Sequence, residues 1–213
     1  MPGSSDFRLG ADVVASDGRK VGSLVRVVVE REGFDARALV VKEEESLAGR
    51  VRSDESLFVT DEVVIPIAAV ESATHDLVQL SMSGPDVDRQ PLYLSYRPKR
   101  LTVEEAALED ADVLTGAVAM PKFEETANKG KAEIEIDRGE NVMLGTSGHR
   151  LGQVHDVLYE QGELLGVVIK PDGFFRRDVV LPARFIERAD DMALFARLEE
   201  SDIEHLKPFV DAD

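Results

Sequence analysis

Cysteine is absent from the 213 residues, which removes disulfides, thiolate nucleophiles and cysteine-ligated zinc together. A reducing, cytoplasmic setting is the expected one. Long hydrophobic runs are missing as well: charged or polar residues break every apolar stretch before the roughly 18 positions that a membrane-spanning helix needs. The opening MPGSSDFRLGADVV lacks the basic head and apolar run of a secretory signal. Positive charge is in short supply, with 25 Lys and Arg against 42 Asp and Glu and a formal net charge of -17. Such a surface repels nucleic acid and anionic lipid except where a local patch dominates. Basic or neutral protein surfaces are therefore better partners, and direct nucleic-acid binding is not expected. The same charge also serves solubility.

What the chain does have is hydrophobic content, at 43%, and a repeat. SDGRKVGS at 16–23 and TSGHRLGQ at 146–153 share one spacing, and an offset of 130 superposes Gly18 on Gly148, Gly22 on Gly152 and Val27 on Val157. ALVVK (Ala38 to Lys42) then matches GVVIK (Gly166 to Lys170), and VVIP (Val63 to Pro66) matches VVLP (Val179 to Pro182), with the offset falling to 128 and then 116. Shorter loops in the second copy account for the drift. Each copy consists of β-branched runs between turn residues, with no helical period of useful length, and so reads as a small all-β unit. Asp17-Gly18 and Ser147-Gly148 are tight-turn signals that start a hairpin. Gly22 and Gly152, inside strands, mark a bulge or sharp bend, and bent strands point to closed barrels. A one-turn connector, a short strand, an acidic turn (His75-Asp76 or Asp190-Asp191) and a closing strand follow in both copies, with Pro66 and Pro182 ending the preceding strand.

These residues resemble the PRC-barrel family, the small β-barrel shared by the H subunit of photosynthetic reaction centres and the C-terminal half of a ribosome maturation factor. The resemblance rests on Gly10 to Val27, Ala38 to Val41 and Val63 to Val70 in one copy, and on Ser147 to Val157, Gly166 to Ile169 and Val179 to Ile186 in the other. It implies an all-β protein of two PRC-type barrels related by internal duplication, at Gly10 to Ser83 and about Gly139 to Leu198. The corresponding domains are 1–96, a linker over 97–138, and 139–213 with a C-terminal helix. Each barrel is expected to enclose its own apolar interior. Turn glycines and aliphatic runs carry the match, so it implies fold far more than function. The reaction-centre subunit's membrane helix has no counterpart here, and both halves resemble the PRC module where the maturation factor has only one such half.

In the connector, Thr102 with Glu105 forms a capping-box pattern for a short helix over Val103 to Glu109, while MPKFEET and AEIEID alternate well enough to add edge strands. Ser201 with Glu204 forms a similar cap for a last helix ending near Leu206.

Chemistry-bearing groups are sparse. His149, His155 and Asp156 would hold a metal only if the hairpin folded them to one side, and polar turn and strand residues are the commoner reading. GTSGH (Gly145 to His149) lacks the spacing and the strand-to-helix setting of a nucleophile elbow, and its glycines do not lead into a helix as a phosphate loop requires. No catalytic, cofactor-binding or metal-ligating residue is therefore expected. Glu43, Glu44 and Glu45 open a polar loop that runs through Ser56. The corresponding loop of the second copy, Pro171 to Asp178, carries Phe174, Phe175, Arg176 and Arg177, residue types enriched in interface hot spots. That tip is the candidate partner contact. The expected function is a non-catalytic adaptor with a protein partner, self-association included. The alternatives are a ribosome-assembly or RNA-processing accessory that binds a basic ribosomal protein, and an accessory of a photosynthetic or electron-transfer membrane complex.

Overall fold

The computed structural model describes residues 7–44, 62–98, 123–145, 147–160, 163–172, 177–190, 192–198, 200–203 and 205–210. Short β-branched runs become strands because alternate side chains can be buried on one face while the backbone is satisfied by neighbouring strands. In the first half these are β1 (Asp12–Val14), β2 (Lys20–Glu30), β3 (Ala36–Glu43), β4 (Glu62–Pro66), β5 (Val70–Ala73) and β6 (Leu77–Leu80). Their order in the sheet is β4-β3-β2-β1-β6-β5, with β1 and β6 parallel and the other neighbours antiparallel.

After α1 (Gly84–Val87) come β7 (Leu94–Pro98), β8 (Phe123–Ala127) and β9 (Glu133–Asp137). The second half contains β10 (Asn141–Leu144), β11 (Arg150–Glu160), β12 (Glu163–Pro171), β13 (Val179–Pro182), β14 (Ile186–Ala189), β15 (Ala193–Ala196) and α2 (Glu200–Ile203). Its order, β13-β12-β11-β10-β15-β14, is the first sheet's path again, with β10 and β15 as the parallel pair. The fold is all-β, as expected. In each half a single 3-10 turn, Ile67–Ala69 or Ala183–Phe185, joins the two terminal strands of the curled sheet.

The strand glycines have a steric explanation. The ladder slips after Val13↔Gly22 to Val14↔Lys20, and likewise after Val142↔Gly152 to Met143↔Arg150. At that bulge the long strand comes so close to its other neighbour that a Cβ on Gly22 would sit 1.9 Å from the Lys42 carbonyl oxygen, and one on Gly152 2.2 Å from that of Lys170. Only glycine fits there.

The duplication extends further than the sequence pattern showed. At the same offset of 116, α1 and α2 occupy equivalent positions, and the chain after each returns to cover a sheet edge. Leu92 bridges Val63 and Pro208 bridges Val179; Tyr93 N–H donates to the Glu62 carbonyl and Phe209 N–H to that of Asp178. The final helix begins at Glu200, so Ser201 lies inside its first turn and not ahead of it as the capping pattern suggested. Packing of Val87 and Ile203 against the core places this turn identically in both copies. The helix expected over Val103 to Glu109 lies outside the described residues.

Both halves contribute to one continuous buried apolar cluster, where separate interiors were expected. The halves are joined because each sends a segment to the other. AEIEID supplies β9, which adds to the first sheet by pairing with Arg26–Glu30 of β2 before the chain turns into β10. Ile134 and Ile136 of β9 are 3% and 0% exposed. From the other side, the Phe7 ring stacks on Tyr159 of β11 with centroids 4.8 Å apart. A second, smaller cluster lies on the outer face of the first sheet, where Val28, Ala38, Val40 and Tyr93 are covered by Leu94 and Ala127 of the paired strands β7 and β8.

Candidate interaction surface

The buried ionisable groups gather where the halves meet. Arg26 stands at a bulge of β2 among valines; its guanidinium donates to Asp137 Oδ2 at 2.8 Å and to Glu62 Oε1 at 3.2 Å, and it covers the Tyr93 ring at 5.2 Å. At the equivalent bulge of β11 stands Asp156, 7% exposed, which accepts the Leu9 N–H at 2.9 Å and its neighbour Val157's N–H at 2.8 Å. One position of the repeat thus carries opposite charges in the two copies, and each charge holds the chain that enters from the other half. Arg138 adds a bond to the Leu9 carbonyl at 2.6 Å, and the Tyr159 hydroxyl donates to the Phe34 carbonyl at 3.2 Å. Burial raises Asp156 above the usual carboxylate range despite those amide donors, and raises Asp137 despite Arg26.

Beside this seam, Glu135, Asp137, Arg138, Glu140, Asn141 and Met192 line a cleft of about 290 Å³. Glu140 Oε2 accepts the Asp137 N–H at 3.3 Å, while Oε1 is enclosed with no hydrogen-bond partner. Burial, together with the charges of Asp137, Glu135 and Asp190, pushes Glu140 up to about 8. No group of three or more His, Asp or Glu among the described residues is arranged to hold a metal ion. A second groove of about 230 Å³ runs along the exposed end of β11, between Phe7, Arg8, His75, Leu158, Glu160 and Leu165.

His155 and Asp156 do not converge. They are successive residues of one strand, so His155 is exposed and contacts Asp178 across the sheet while Asp156 is enclosed against Leu9. Ser147 has the turn role read from the sequence: its hydroxyl accepts the His149 N–H at 3.2 Å. Of the proposed contact tip, Phe174, Phe175 and Arg176 lie outside the described residues; Arg177 is exposed at the entry to β13. In the acidic loop, Glu44 pairs with Lys20 Nζ at 2.5 Å, and Glu45 onward lies outside the described residues. Sequence reasoning did not single out Arg26, Glu62, Asp137 or Glu140, and weighed Asp156 only as part of a metal cluster with His149 and His155. The available signal was a lone charge inside an aliphatic strand, as in VRVVV and VHDVL.

Two β-sheets of one topology, fused through crossing segments, define a duplicated all-β module whose buried polar groups serve the joint between its halves. The model of the PRC-barrel domain matches residues 8–84, and that part of the chain is a PRC-barrel domain. The match ends at Gly84, so the second copy stands on its strand order and register, not on the family model. No curated protein matches the chain. No helix among the described residues is long and apolar enough to cross a membrane.

Proposed function

We propose that this protein is a non-catalytic, cytoplasmic adaptor that presents PRC-type barrel surfaces to another protein. The observation that carries the reading is the use of the polar groups. Arg26, Asp137 and Asp156 are engaged in holding the halves together, with Glu62 bracing Arg26, so the surface is what the fold offers to others. The contact begins at the β12–β13 tip, where Phe174, Phe175, Arg176 and Arg177 offer aromatic area and guanidinium donors on an otherwise acidic molecule. A set of variants, Phe174→Ser, Phe175→Ser and Arg177→Ala, tests this by affinity capture from the native cell. The expected result is loss of the captured protein with the unfolding midpoint retained; equal capture by wild type and variants refutes the tip.

The net charge of -17 supports one narrower reading, in which the partner is a basic protein such as a ribosomal protein. Association with ribosomal subunits that survives nuclease treatment and weakens with salt supports it, whereas association lost on nuclease treatment refutes it.

A further inference from the structure

The two copies differ in what covers their outer faces. In the first, Val28, Val40 and Tyr93 lie beneath Leu94 and Ala127 of the β7–β8 ribbon. The equivalent positions of the second copy are Leu158, Val168 and Phe209, and Val210 stands where the covering Leu94 stands in the first. Arg8 lies over the Phe209 ring at 5.1 Å, and Val168 is buried. No described strand covers the rest: Val210 is 79% exposed and Leu165 49%, with Leu158 and Val180 partly open. Strand alternation puts Leu158, Val168 and Val180 on one face, with Glu160 at one end of it and Lys170 at the other. Arg177 is exposed near the Lys170 end, where Asp178 is already engaged by His155.

Leu158 and Val180 form an apolar centre, flanked by the Arg8–Asp156 pair, between an acid at one end and bases at the other, and that pattern is complementary to itself. Rotation by half a turn sets the Glu160 end of one face over the Lys170 end of another, while the apolar centres coincide. We propose that two copies of this chain pair through the outer face of the second barrel about such a two-fold axis, Glu160 of each meeting Lys170 of the other. The second copy thereby supplies the cover that β7 and β8 supply within the first barrel. This deepens the adaptor reading by naming a partner and a surface, and rests on that reading's premise that the barrels act through protein contacts.

The test measures the mass of the intact protein in solution from low-micromolar to submillimolar concentration. A rise from one chain to two is expected. Val210→Glu should weaken the association at least about tenfold, because it places an uncompensated charge beside Phe209 where the paired face is to be covered. Glu160→Lys and Lys170→Glu should each weaken it about tenfold by setting like charges together, and the double variant should restore it. A wild-type protein that stays monomeric throughout, a dimer indifferent to Val210→Glu, or a double variant no better than the singles would each overturn the pairing. Because a monomer that still captures its cellular partner through the β12–β13 tip would leave the adaptor reading standing, the two can fail separately.

Discussion

Replacing Glu140 with glutamine should stabilise the protein in alkali and leave it unchanged in acid. The carboxyl sits in the turn between β9 and β10 with one oxygen enclosed and unbonded, facing Asp137 and Glu135 from β9 and Asp190 from the end of β14. Arg138 shares the cleft but donates to the Leu9 carbonyl. Because the folded protein holds this proton up to about pH 8 and the unfolded chain only to its ordinary 4.5, the folded state binds more protons between those values. Stability therefore falls as pH rises through that window. A rise of that size sets a ceiling of about 5 kcal/mol. Glu140 is only partly shielded by area and its turn can yield, so about 2 kcal/mol is the expected cost above pH 8. Glutamine keeps the shape and the acceptor without the charge. Urea unfolding of both proteins at about pH 3.5, below the unfolded value, and about pH 9 should show equal stabilities at the lower value and a gain of about 2 kcal/mol for Glu140→Gln at the higher. The same difference at both values would refute the assignment of the cost to a buried charge.

Three further outcomes follow from the joint and the repeat. Gly22→Ala and Gly152→Ala should each lose about 3 kcal/mol or more in urea unfolding, to a similar extent, since both add a Cβ at 1.9 or 2.2 Å from a carbonyl oxygen; a loss near 0.5 kcal/mol at either site would deny the close approach. Asp156→Ala strands the Leu9 and Val157 amides and should cost about 1–3 kcal/mol, read from the unfolding midpoint and from faster exchange of the Leu9 amide. Tyr159→Phe keeps the stack on Phe7 and removes only the bond to Phe34, so its cost should stay near 1 kcal/mol; a loss of several kcal/mol would mean that the ring's placement depends on that hydroxyl.

The parts of the fold set by local chemistry were legible in the sequence. Turn glycines, the β-branched run in KVGSLVRVVVE and the strand-ending prolines act on their immediate neighbours, and each holds in the structure. AEIEID was legible as an edge strand, but its choice of β2 was not. That pairing depends on Arg26 meeting Asp137 and on two isoleucines meeting Val27 and Val29, contacts spanning more than a hundred residues of sequence. The return of Pro91 to Tyr93 and of Lys207 to Phe209 was invisible for another reason. PLY and KPF share shape, not identity, and the resemblance appears only once Leu92 and Pro208 are seen against equivalent valines. The polar joint escaped notice because opposite charges, Arg26 and Asp156, occupy equivalent positions, which reads as divergence until their partners are placed.

The central claim is that the chain beyond the matched PRC-barrel domain repeats it strand for strand. The most direct measurement is the set of long-range backbone contacts in solution by nuclear magnetic resonance. Val13 should lie beside Gly22 on one side and Val78 on the other, and Val142 in the same way between Gly152 and Leu194. Finding both sets confirms two copies of one module; finding the Val13 set while Val142 lacks its parallel neighbour Leu194 contradicts the duplication.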